Sequence, residues 1–244
     1  MYGWLRCAVS RPGAAVRLVC FPHAGGSAGF FAAWSRLAAP GIEVHTVQYP
    51  GREDRIIEAP EPDMACLAGC AAAALDGSDD RPLALFGHSM GAAVAYEVAR
   101  LLDREPVHLF ASGRHSPGEV VPGGVHLRDD AGLVADLARL GGTGAGLLAM
   151  PEVLEVVLPA VRNDYRLIET YHELPGRRLG CPVTALIGTE DPEVDAGQAR
   201  RWAAHTTGPF DLVELPGAHF YLDARRTEVL DVVEAALHGV PTRP

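Results

Sequence analysis

A serine between two glycines is the residue of this chain whose surroundings best suit chemistry. Ser89 lies in Gly87-His-Ser-Met-Gly91, which has the spacing G-x-S-x-G. An apolar, strand-like run that begins at Leu83 precedes it, and a helix-like run that begins at Ala92 follows it. This order is typical of a nucleophile elbow, a strained turn that lifts a serine hydroxyl above a sheet. We therefore interpret Ser89 as a nucleophile, with a tight turn and an incidental serine as the alternative.

A base and an acid for this serine follow two later strand-like runs. A serine hydroxyl needs a base at neutral pH, and the base needs an acid that fixes its tautomer. In this class of fold the chain order is serine, acid, histidine. Asp191 follows the strand-like run 182–187, and His219 follows the last such run, 210–215. Because the carboxyl ends of parallel strands share one edge of a sheet, we expect both side chains to meet Ser89 there.

Both assignments have alternatives in the sequence. The chain has ten histidines, and a histidine is more often a surface or capping group than a base. We select His219 because it alone follows the last strand-like run. Glu190 and Asp195 lie near Asp191, which itself has an alternative role as a turn or helix cap. Asp191 is favoured as the acid because it lies in the short loop directly after its strand, next to Pro192.

Two backbone N–H groups are expected to stabilise the negative charge that develops when the serine attacks a carbonyl. One belongs to Met90, at the N-terminus of the helix after the elbow, where the helix dipole favours an anion. The second should come from the loop after an early strand. The segment Pro22-His-Ala-Gly-Gly26 fits this position, so we predict the Ala24 N–H as the donor. The alternative for this segment is a glycine-rich turn without a chemical role.

Strand-like and helix-like runs alternate along most of the chain. The strand-like runs begin at Ala15, Ile42, Leu83, Val107, Pro182 and Phe210. Such alternation with short loops predicts βαβ units and a parallel sheet, so the fold class is α/β. Between Arg114 and Arg178 the alternation stops and apolar residues repeat at helical spacing. We predict one domain over 1–244 with a helical lid inserted at about 115–178, in which Pro159 should kink or break a helix.

Charge and composition exclude several classes of protein. The net charge of −10 argues against a nucleic-acid partner, because phosphate backbones attract clustered lysine and arginine. Five cysteines are an odd number and include no C-x-x-C pair, so we predict free thiols, no metal site and a reducing compartment. No run of eighteen apolar residues and no signal-like N-terminal segment occurs. We expect a cytoplasmic protein that uses no membrane and no cofactor.

Five motifs spread over nearly the whole chain carry a family resemblance. They are Leu18-Val-Cys-Phe-Pro-His-Ala-Gly-Gly26, Val47-Gln-Tyr-Pro-Gly-Arg-Glu53, Leu85-Phe-Gly-His-Ser-Met-Gly-Ala92, Leu158-Pro-Ala-Val-Arg-Asn-Asp164-Tyr-Arg and Pro216-Gly-Ala-His219-Phe-Tyr-Leu222. Together they resemble the type II thioesterases, the stand-alone editing hydrolases of polyketide and nonribosomal peptide assembly lines. The resemblance implies an α/β-hydrolase fold, a mostly parallel central sheet flanked by helices, and a triad of Ser89, Asp191 and His219. The family usually has a glycine and two phenylalanines where this chain has Ala218 and Phe220-Tyr221.

The resemblance implies a reaction and a partner. The enzyme would hydrolyse acyl groups from the phosphopantetheine arm of acyl or peptidyl carrier proteins, and so edit stalled or aberrant acyl units in natural-product biosynthesis. His219 would take the proton of Ser89 as it attacks the thioester carbonyl, and an acyl-serine would form and then be hydrolysed. We expect activity to survive the change to Ala218, because the histidine itself is retained.

Two sets of residues are candidates for contact with substrate and partner. Apolar residues of the predicted lid are candidates to line an acyl chamber, although each could equally pack the lid's own core: Leu133, Leu137, Leu147, Leu148 and Met150. Arginines are candidates to dock an acidic carrier protein, although each could equally belong to a solvated surface: Arg52, Arg55, Arg114, Arg177 and Arg178.

Two other functions compete with thioester hydrolysis. A carboxylesterase or lipase would use the same triad on oxygen esters, but the motifs Pro50-Gly-Arg-Glu53 and Arg162-Asn-Asp-Tyr165 speak against it. A non-catalytic carrier-binding protein is the second alternative. An intact triad argues against that protein, because a binding module has no use for one.

Overall fold

The computed structural model describes residues 3–76, 79–119, 123–141 and 151–240. Within these ranges the strands form one seven-stranded sheet. They are β1 (Leu5–Arg6), β2 (Val16–Phe21), β3 (Ile42–Val47), β4 (Leu83–His88), β5 (His108–Ser112), β6 (Val183–Gly188) and β7 (Phe210–Leu215). Their order across the sheet is β1-β3-β2-β4-β5-β6-β7. The β1 strand pairs antiparallel with β3, and all other neighbours pair in parallel.

Helices connect the strands and cover both faces of the sheet. Those described are α1 (Trp34–Leu37), α2 (Met64–Leu75), α3 (Met90–Leu101), α4 (Asp130–Leu140), α5 (Pro151–Glu169), α6 (Ala196–Arg200), α7 (Tyr221–Ala224) and α8 (Arg226–Leu237). Short 3₁₀ turns occur at Ala28–Phe31, Glu53–Arg55, Val125–Leu127 and Arg201–His205. Among the described residues, we find no helix with the length and apolarity needed to traverse a bilayer.

The core lies in two layers, one on each face of the sheet. Successive strand residues point to opposite faces, so Val19 and Phe21 join one layer while Leu18 and Cys20 join the other. The first layer packs against α2 and α3, and the second against α1 and α8. Because both faces are covered, β2, β4, β5 and β6 read as almost continuous apolar runs. This burial is why the sequence signals these strands so strongly.

The α/β prediction is confirmed, with two differences in detail. The edge strand β1 escaped sequence reasoning because it has only two residues, too few for any periodicity. Pro159 does not break its helix, since α5 runs unbroken through it. Pro159 is exposed, and so is Glu155, whose carbonyl loses its usual backbone donor. The neighbouring Leu158 and Val161 are buried and hold the helix in place.

The segment predicted as a lid contains α4 and α5, which lie between β5 and β6 in the chain. A small apolar cluster joins the two helices, with Leu133 from α4 against Leu158, Val161 and Tyr165 from α5. The C-terminal part of α5, around Ile168, reaches the main core beside α3. The single domain over 1–244 and the lid bounds of about 115–178 stay predictions.

Candidate active site

The turn that holds Ser89 joins β4 directly to α3. Ser89 has φ 55° and ψ −120°, a left-handed conformation that a non-glycine residue adopts at a cost of about 1–3 kcal/mol. Its N–H donates to the Ser112 carbonyl of β5 at 2.8 Å. A Cβ at Gly91 would overlap the Phe21 carbonyl oxygen, and one at Gly87 would overlap the Gly91 carbonyl. Both glycines of the G-x-S-x-G spacing are therefore required by close backbone contacts.

His219 and Asp191 form a buried pair at the same edge of the sheet. The Nδ1 atom of His219 lies 2.9 Å from Oδ2 and 3.0 Å from Oδ1 of Asp191. The two side chains are 2% and 0% exposed. Asp191 Oδ1 also accepts the Glu193 N–H at 2.9 Å, and the Glu190 N–H donates to the Gly217 carbonyl. The loops of acid and base are thus joined, and the carboxylate assigns the proton to Nδ1, leaving Nε2 as an acceptor.

Ser89 and His219 line one cavity of about 1090 Å³. The structure therefore brings the three residues predicted as a triad to one edge, as their positions after β4, β6 and β7 require. Ala24, which follows β2, lines the same cavity. Within the described part of the chain, neither the Ala24 N–H nor the Met90 N–H donates a hydrogen bond to another residue. Both groups are available to an oxygen atom bound beside Ser89.

Two further imidazoles lie next to His219, and both are held neutral. The ring of His88 is 5.0 Å from that of His219, and the ring of His23 is 6.1 Å from that of His88. Burial, followed by the neighbouring His219, lowers the pKa of His23 to about 3 and that of His88 well below its usual range. Among the residues that the structure describes, His219 is the one of these three with a carboxylate partner. That difference, which the sequence does not show, distinguishes the base from its neighbours.

Two hydroxyl groups form a hydrogen-bonded series that ends at the His88 ring. His88 Nδ1 lies 2.9 Å from Ser112 Oγ, which lies 2.7 Å from the Tyr221 hydroxyl. Tyr221 stands where the type II thioesterases that the sequence resembles usually have phenylalanine, so its hydroxyl adds a partner that sequence reasoning did not anticipate. The two hydroxyls fix the orientation of the His88 ring under His219.

The structure places two of the residues predicted for an acyl chamber in different environments. Leu137 lines the cavity. Leu133 is fully buried in the cluster between α4 and α5 and does not belong to the described cavity wall, so it packs the lid's own core instead. The other three predicted residues, Leu147, Leu148 and Met150, lie outside the described residues.

One face of α5 lines the cavity and was missed by sequence reasoning. Its members recur every three or four positions: Leu154, Val157, Val161, Tyr165 and Ile168. This is the spacing of one helix face, so the helical periodicity of the segment carried the signal. Helix α5 thus contributes more of the described chamber wall than the residues that were predicted.

Two of the five arginines predicted for carrier docking are unavailable for it, whereas Arg177 and Arg178 are exposed. Arg52 and Arg55 are buried, and each is paired with an acid, Asp164 or Glu58. Arg177 is paired with Glu105, and Arg178 donates to the Thr206 carbonyl. The docking prediction is therefore wrong for Arg52 and Arg55, because the fold uses their charges internally.

Arg114 has a different environment from the other four arginines. It lines the cavity two residues after β5. Burial lowers the pKa of Arg114 to about 10, so the guanidinium stays charged at neutral pH. Among the described residues that line the cavity, Arg114 is the charged side chain for which we find no ion pair, whereas Arg139 pairs with Glu193 and Arg226 with Asp223. Its charge is free to interact with a bound molecule.

A cluster away from the cavity has donor atoms suited to a metal. Cys7, Glu43 and His45 place one such atom each within 4.8 Å of one another. Both Glu43 oxygens already accept hydrogen bonds, from the Arg11 N–H at 2.5 Å and from Arg81 at 2.6 Å. The cluster therefore joins the N-terminal segment to β3 through hydrogen bonds, and we assign it no chemistry.

A family model described as "Thioesterase domain" matches residues 16–237. The chain is 48% identical over 238 residues to "Probable cadicidin biosynthesis thioesterase" of Streptomyces griseus, covering 96% of this chain and 66% of that protein. It is 42% identical to "Thioesterase PikA5" of Streptomyces venezuelae, covering 93% and 82%. Among solved structures, the type II thioesterase BorB from the borrelidin biosynthetic cluster superposes with a TM-score of 0.88 at 41% identity, covering 98% and 100%.

Proposed function

Because this chain belongs to the thioesterase family, we propose that it hydrolyses acyl groups from the phosphopantetheine arm of acyl or peptidyl carrier proteins. The chain is an enzyme, a thioesterase of the α/β-hydrolase fold. Its relatives are type II thioesterases of polyketide and nonribosomal peptide pathways, which supports an editing role in such a pathway. The observation that carries the mechanism is the buried His219–Asp191 pair beside a cavity that Ser89 also lines.

In the first half of the reaction, Ser89 attacks the thioester carbonyl carbon. His219 Nε2 takes the hydroxyl proton as the oxygen–carbon bond forms, and Asp191 stabilises the resulting imidazolium through Nδ1. The carbonyl oxygen becomes an oxyanion, which accepts hydrogen bonds from the N–H groups of Ala24 and Met90. Loss of one such donor typically costs about 10²–10³ in turnover, so these groups matter as much as a side chain does.

In the second half, the carbon–sulfur bond breaks and leaves an acyl-serine, and water then takes the place of the thiol. The pantetheine sulfur leaves as a thiol after taking the proton from His219. Because a thiol has a pKa near 8.5, far below that of an alcohol, its departure needs little acid assistance. His219 then removes a proton from water as the water oxygen attacks the acyl-serine. Collapse of that intermediate returns the proton to Ser89 Oγ and releases a carboxylic acid.

Because the imidazoles near His219 are neutral, they do not oppose the positive charge that this mechanism places on His219. A protonated His88 or His23 would repel the imidazolium that His219 forms in the transition state. Burial keeps both rings uncharged well below neutral pH. The proton taken from Ser89 therefore enters a site whose nearest full charge is the Asp191 carboxylate.

The cavity is large enough for an acyl chain together with the end of a pantetheine arm. Its volume of about 1090 Å³ slightly exceeds the usual range for small-molecule sites, which is about 300–1,000 Å³. The apolar face of α5 suits an alkyl chain, and the half-buried Ser89 is reachable from outside. A carrier protein would present its thioester from the solvent side of this opening.

One comparison of substrates tests the proposal. The protein is incubated with acyl-carrier thioesters and, separately, with p-nitrophenyl esters of the same acyl chain. Release of free carrier is measured by mass spectrometry, and release of p-nitrophenol by its absorbance. We expect a higher kcat/KM on the thioesters and loss of both activities in Ser89→Ala. Faster turnover of the oxygen esters would instead indicate a carboxylesterase. Unchanged hydrolysis in the Ser89→Ala variant would refute the enzymatic mechanism itself.

A further inference from the structure

A buried ion pair lies between α5 of the predicted lid and the segment after β3, and both of its members contact the loop that carries Ala24. Arg52 donates from its two terminal nitrogens to the two oxygens of Asp164, at 2.7 and 2.8 Å. Their side chains are 8% and 3% exposed. We propose that Arg52 and Asp164 are positioning residues that hold the Ala24 N–H in place to receive the oxyanion. This inference rests on the proposed function and assigns a role to residues outside the triad.

Both members of the pair also bind the backbone of the Ala24 loop. The Gly25 N–H donates to Asp164 Oδ2 at 2.7 Å, and Arg52 donates to the Gly26 carbonyl at 2.9 Å. Gly25 has φ 76°, a conformation that glycine adopts without strain. The pair therefore holds two peptide groups after Ala24, the Ala24–Gly25 peptide through its N–H and the Gly26–Ser27 peptide through its carbonyl.

Other contacts hold the loop on either side of the same residue. The Tyr49 hydroxyl donates to the Pro22 carbonyl at 3.3 Å, and the Ser27 hydroxyl donates to Glu53 at 2.5 Å. Tyr49 and Glu53 belong to the same motif as Arg52. The backbone is thus fixed before and after Ala24, whose own N–H makes no such contact within the described part of the chain. A donor held in this way needs no reorganisation when charge develops on the substrate.

Stability alone does not account for two buried charges at this position. Removing an arginine and a carboxylate from water costs several kcal/mol per ion, and apolar residues of similar volume often stabilise a fold better. The Arg52 Nε atom is buried and finds no hydrogen-bond partner among the described residues, which adds to that cost. A pair retained despite such costs is explained by the geometry it imposes on the Ala24 loop.

The pair also explains why two distant motifs occur together. Arg52 comes from Pro50-Gly-Arg-Glu53 and Asp164 from Arg162-Asn-Asp-Tyr165, which lie more than a hundred positions apart in the chain. The first motif lies beside the loop, and the second lies on the helix whose other residues line the acyl chamber. An acyl chain that shifts α5 would therefore also act on the oxyanion donor.

Direct packing strengthens this link between helix and loop. A methyl group built on Gly25 would lie 3.2 Å from a methyl of Val161, one turn before Asp164 on α5. Val161 also lines the chamber. Ala24 itself packs against the apolar cluster that contains Val161, and Asp164 accepts from the Gly25 N–H, so an acyl chain that contacts Val161 would act on the loop through both links.

The test compares two ligands that differ only in whether they form an oxyanion. An acyl trifluoromethyl ketone adds Ser89 Oγ to its carbonyl, with the serine proton passing to His219, and so places an oxyanion at Ala24. The matching methyl ketone stays unreacted. We expect Asp164→Asn to weaken inhibition by the trifluoromethyl ketone about 10–100-fold and to lower kcat similarly. The same variant should change inhibition by the methyl ketone, and KM, less than threefold.

A matched control separates positioning from general damage to the fold. Glu97 is also buried, accepts from Arg100 at 3.0 Å and from the Leu174 N–H at 3.0 Å, and lies away from the Ala24 loop. Glu97→Gln should reduce stability toward urea while it leaves the ratio of the two ketone affinities unchanged. Arg52→Lys keeps the charge but loses the two-pronged donation of the guanidinium to Asp164. Its ratio of the two ketone affinities should therefore lie between those of the wild type and Asp164→Asn. It also provides the test if Asp164→Asn does not fold.

The outcomes distinguish this inference from the proposed function. Equal weakening of both ketones, or the same loss of ratio in Glu97→Gln, would overturn the positioning role while thioester hydrolysis by the wild type stands. A wild-type protein that neither hydrolyses acyl-carrier thioesters nor binds the trifluoromethyl ketone through Ser89 would overturn the proposed function, and this inference with it.

Discussion

Replacing Asp191 by asparagine should abolish most activity without disturbing the fold. The substitution preserves size, and the amide oxygen can still accept the Glu193 N–H that Asp191 now accepts at 2.9 Å. The amide nitrogen then occupies the place of Oδ2, 2.9 Å from His219 Nδ1. At that distance the amide N–H opposes a proton on Nδ1 and donates to Nδ1 instead, and the neutral amide oxygen at the Oδ1 position, 3.0 Å from Nδ1, is a weaker acceptor than the carboxylate. The substitution therefore favours the His219 tautomer with its proton on Nε2. In that form it cannot accept the proton of Ser89.

The expected loss is about 10⁴ in kcat at neutral pH, which corresponds to about 5.5 kcal/mol of transition-state stabilisation. The assay is release of free carrier from an acyl-carrier thioester, followed by mass spectrometry, with circular dichroism to verify folding. Glu190→Gln and Asp195→Asn are the controls, because the sequence offers both as alternative acids. Asp195 caps α6 through its side chain, a role that asparagine can keep, so little change is expected. If Glu190→Gln lost as much activity as Asp191→Asn, our assignment of the acid would be wrong.

Three further changes test other features of the structure. Gly91→Ala should prevent accumulation of folded protein, because its Cβ overlaps the Phe21 carbonyl oxygen; soluble yield and circular dichroism measure this. The free energy of unfolding should fall as pH drops from 6.5 toward 4, because burial lowers the pKa of His108 to about 4 and only the unfolded chain takes up that proton. Urea titrations of His108→Asn should show a slope smaller by up to about 1.4 kcal/mol per pH unit. Because Arg114 lines the cavity and we find no ion pair for it among the described residues, we expect it to donate to an oxygen on an acyl chain; Arg114→Met should then lower kcat/KM about tenfold on 3-oxoacyl carriers relative to the saturated chain.

Each of these expectations has an outcome that contradicts it. A folded, active Gly91→Ala protein would show that the elbow can relax away from β2. A pH slope that is the same with and without His108 would mean that its proton is taken up equally by both states. An equal loss of kcat/KM on 3-oxoacyl and saturated chains in Arg114→Met would indicate that this side chain shapes the cavity rather than binding an oxygen.

The positions after the strands could be predicted from the sequence, because burial on both faces gives β4 and β6 nearly continuous apolar runs and the half-exposed edge strand β7 still keeps four apolar residues of six. Ser89, Asp191 and His219 follow β4, β6 and β7, so the topology alone brings them to one edge. The two glycines of the elbow indicate that two backbone segments lie close together there. These signals are local, and each depends on a few neighbouring residues.

What the sequence could not provide depends on contacts between distant segments. Arginines are usually exposed, so Arg52 resembles a surface charge until Asp164 is found opposite it in the fold. Leu133 and Leu137 share one face of α4, and only the position of α5 shows that the first is covered and the second reaches the cavity. Pairing of buried charges and the choice between core and chamber follow from tertiary packing, which periodicity does not report.

The left-handed conformation of Ser89 has a consequence for capturing substrate complexes. Glycine reaches φ 55° and ψ −120° without the clash that a Cβ causes, so Ser89→Gly relieves about 1–3 kcal/mol of strain. The greater flexibility of glycine in the unfolded chain offsets about 0.5–1 kcal/mol of this gain. The inert variant should thus melt at a higher temperature than the active enzyme, whereas Ser89→Ala keeps the strain. For trapping an intact acyl-carrier thioester with its acyl chain in the cavity, glycine is therefore the better replacement for the nucleophile.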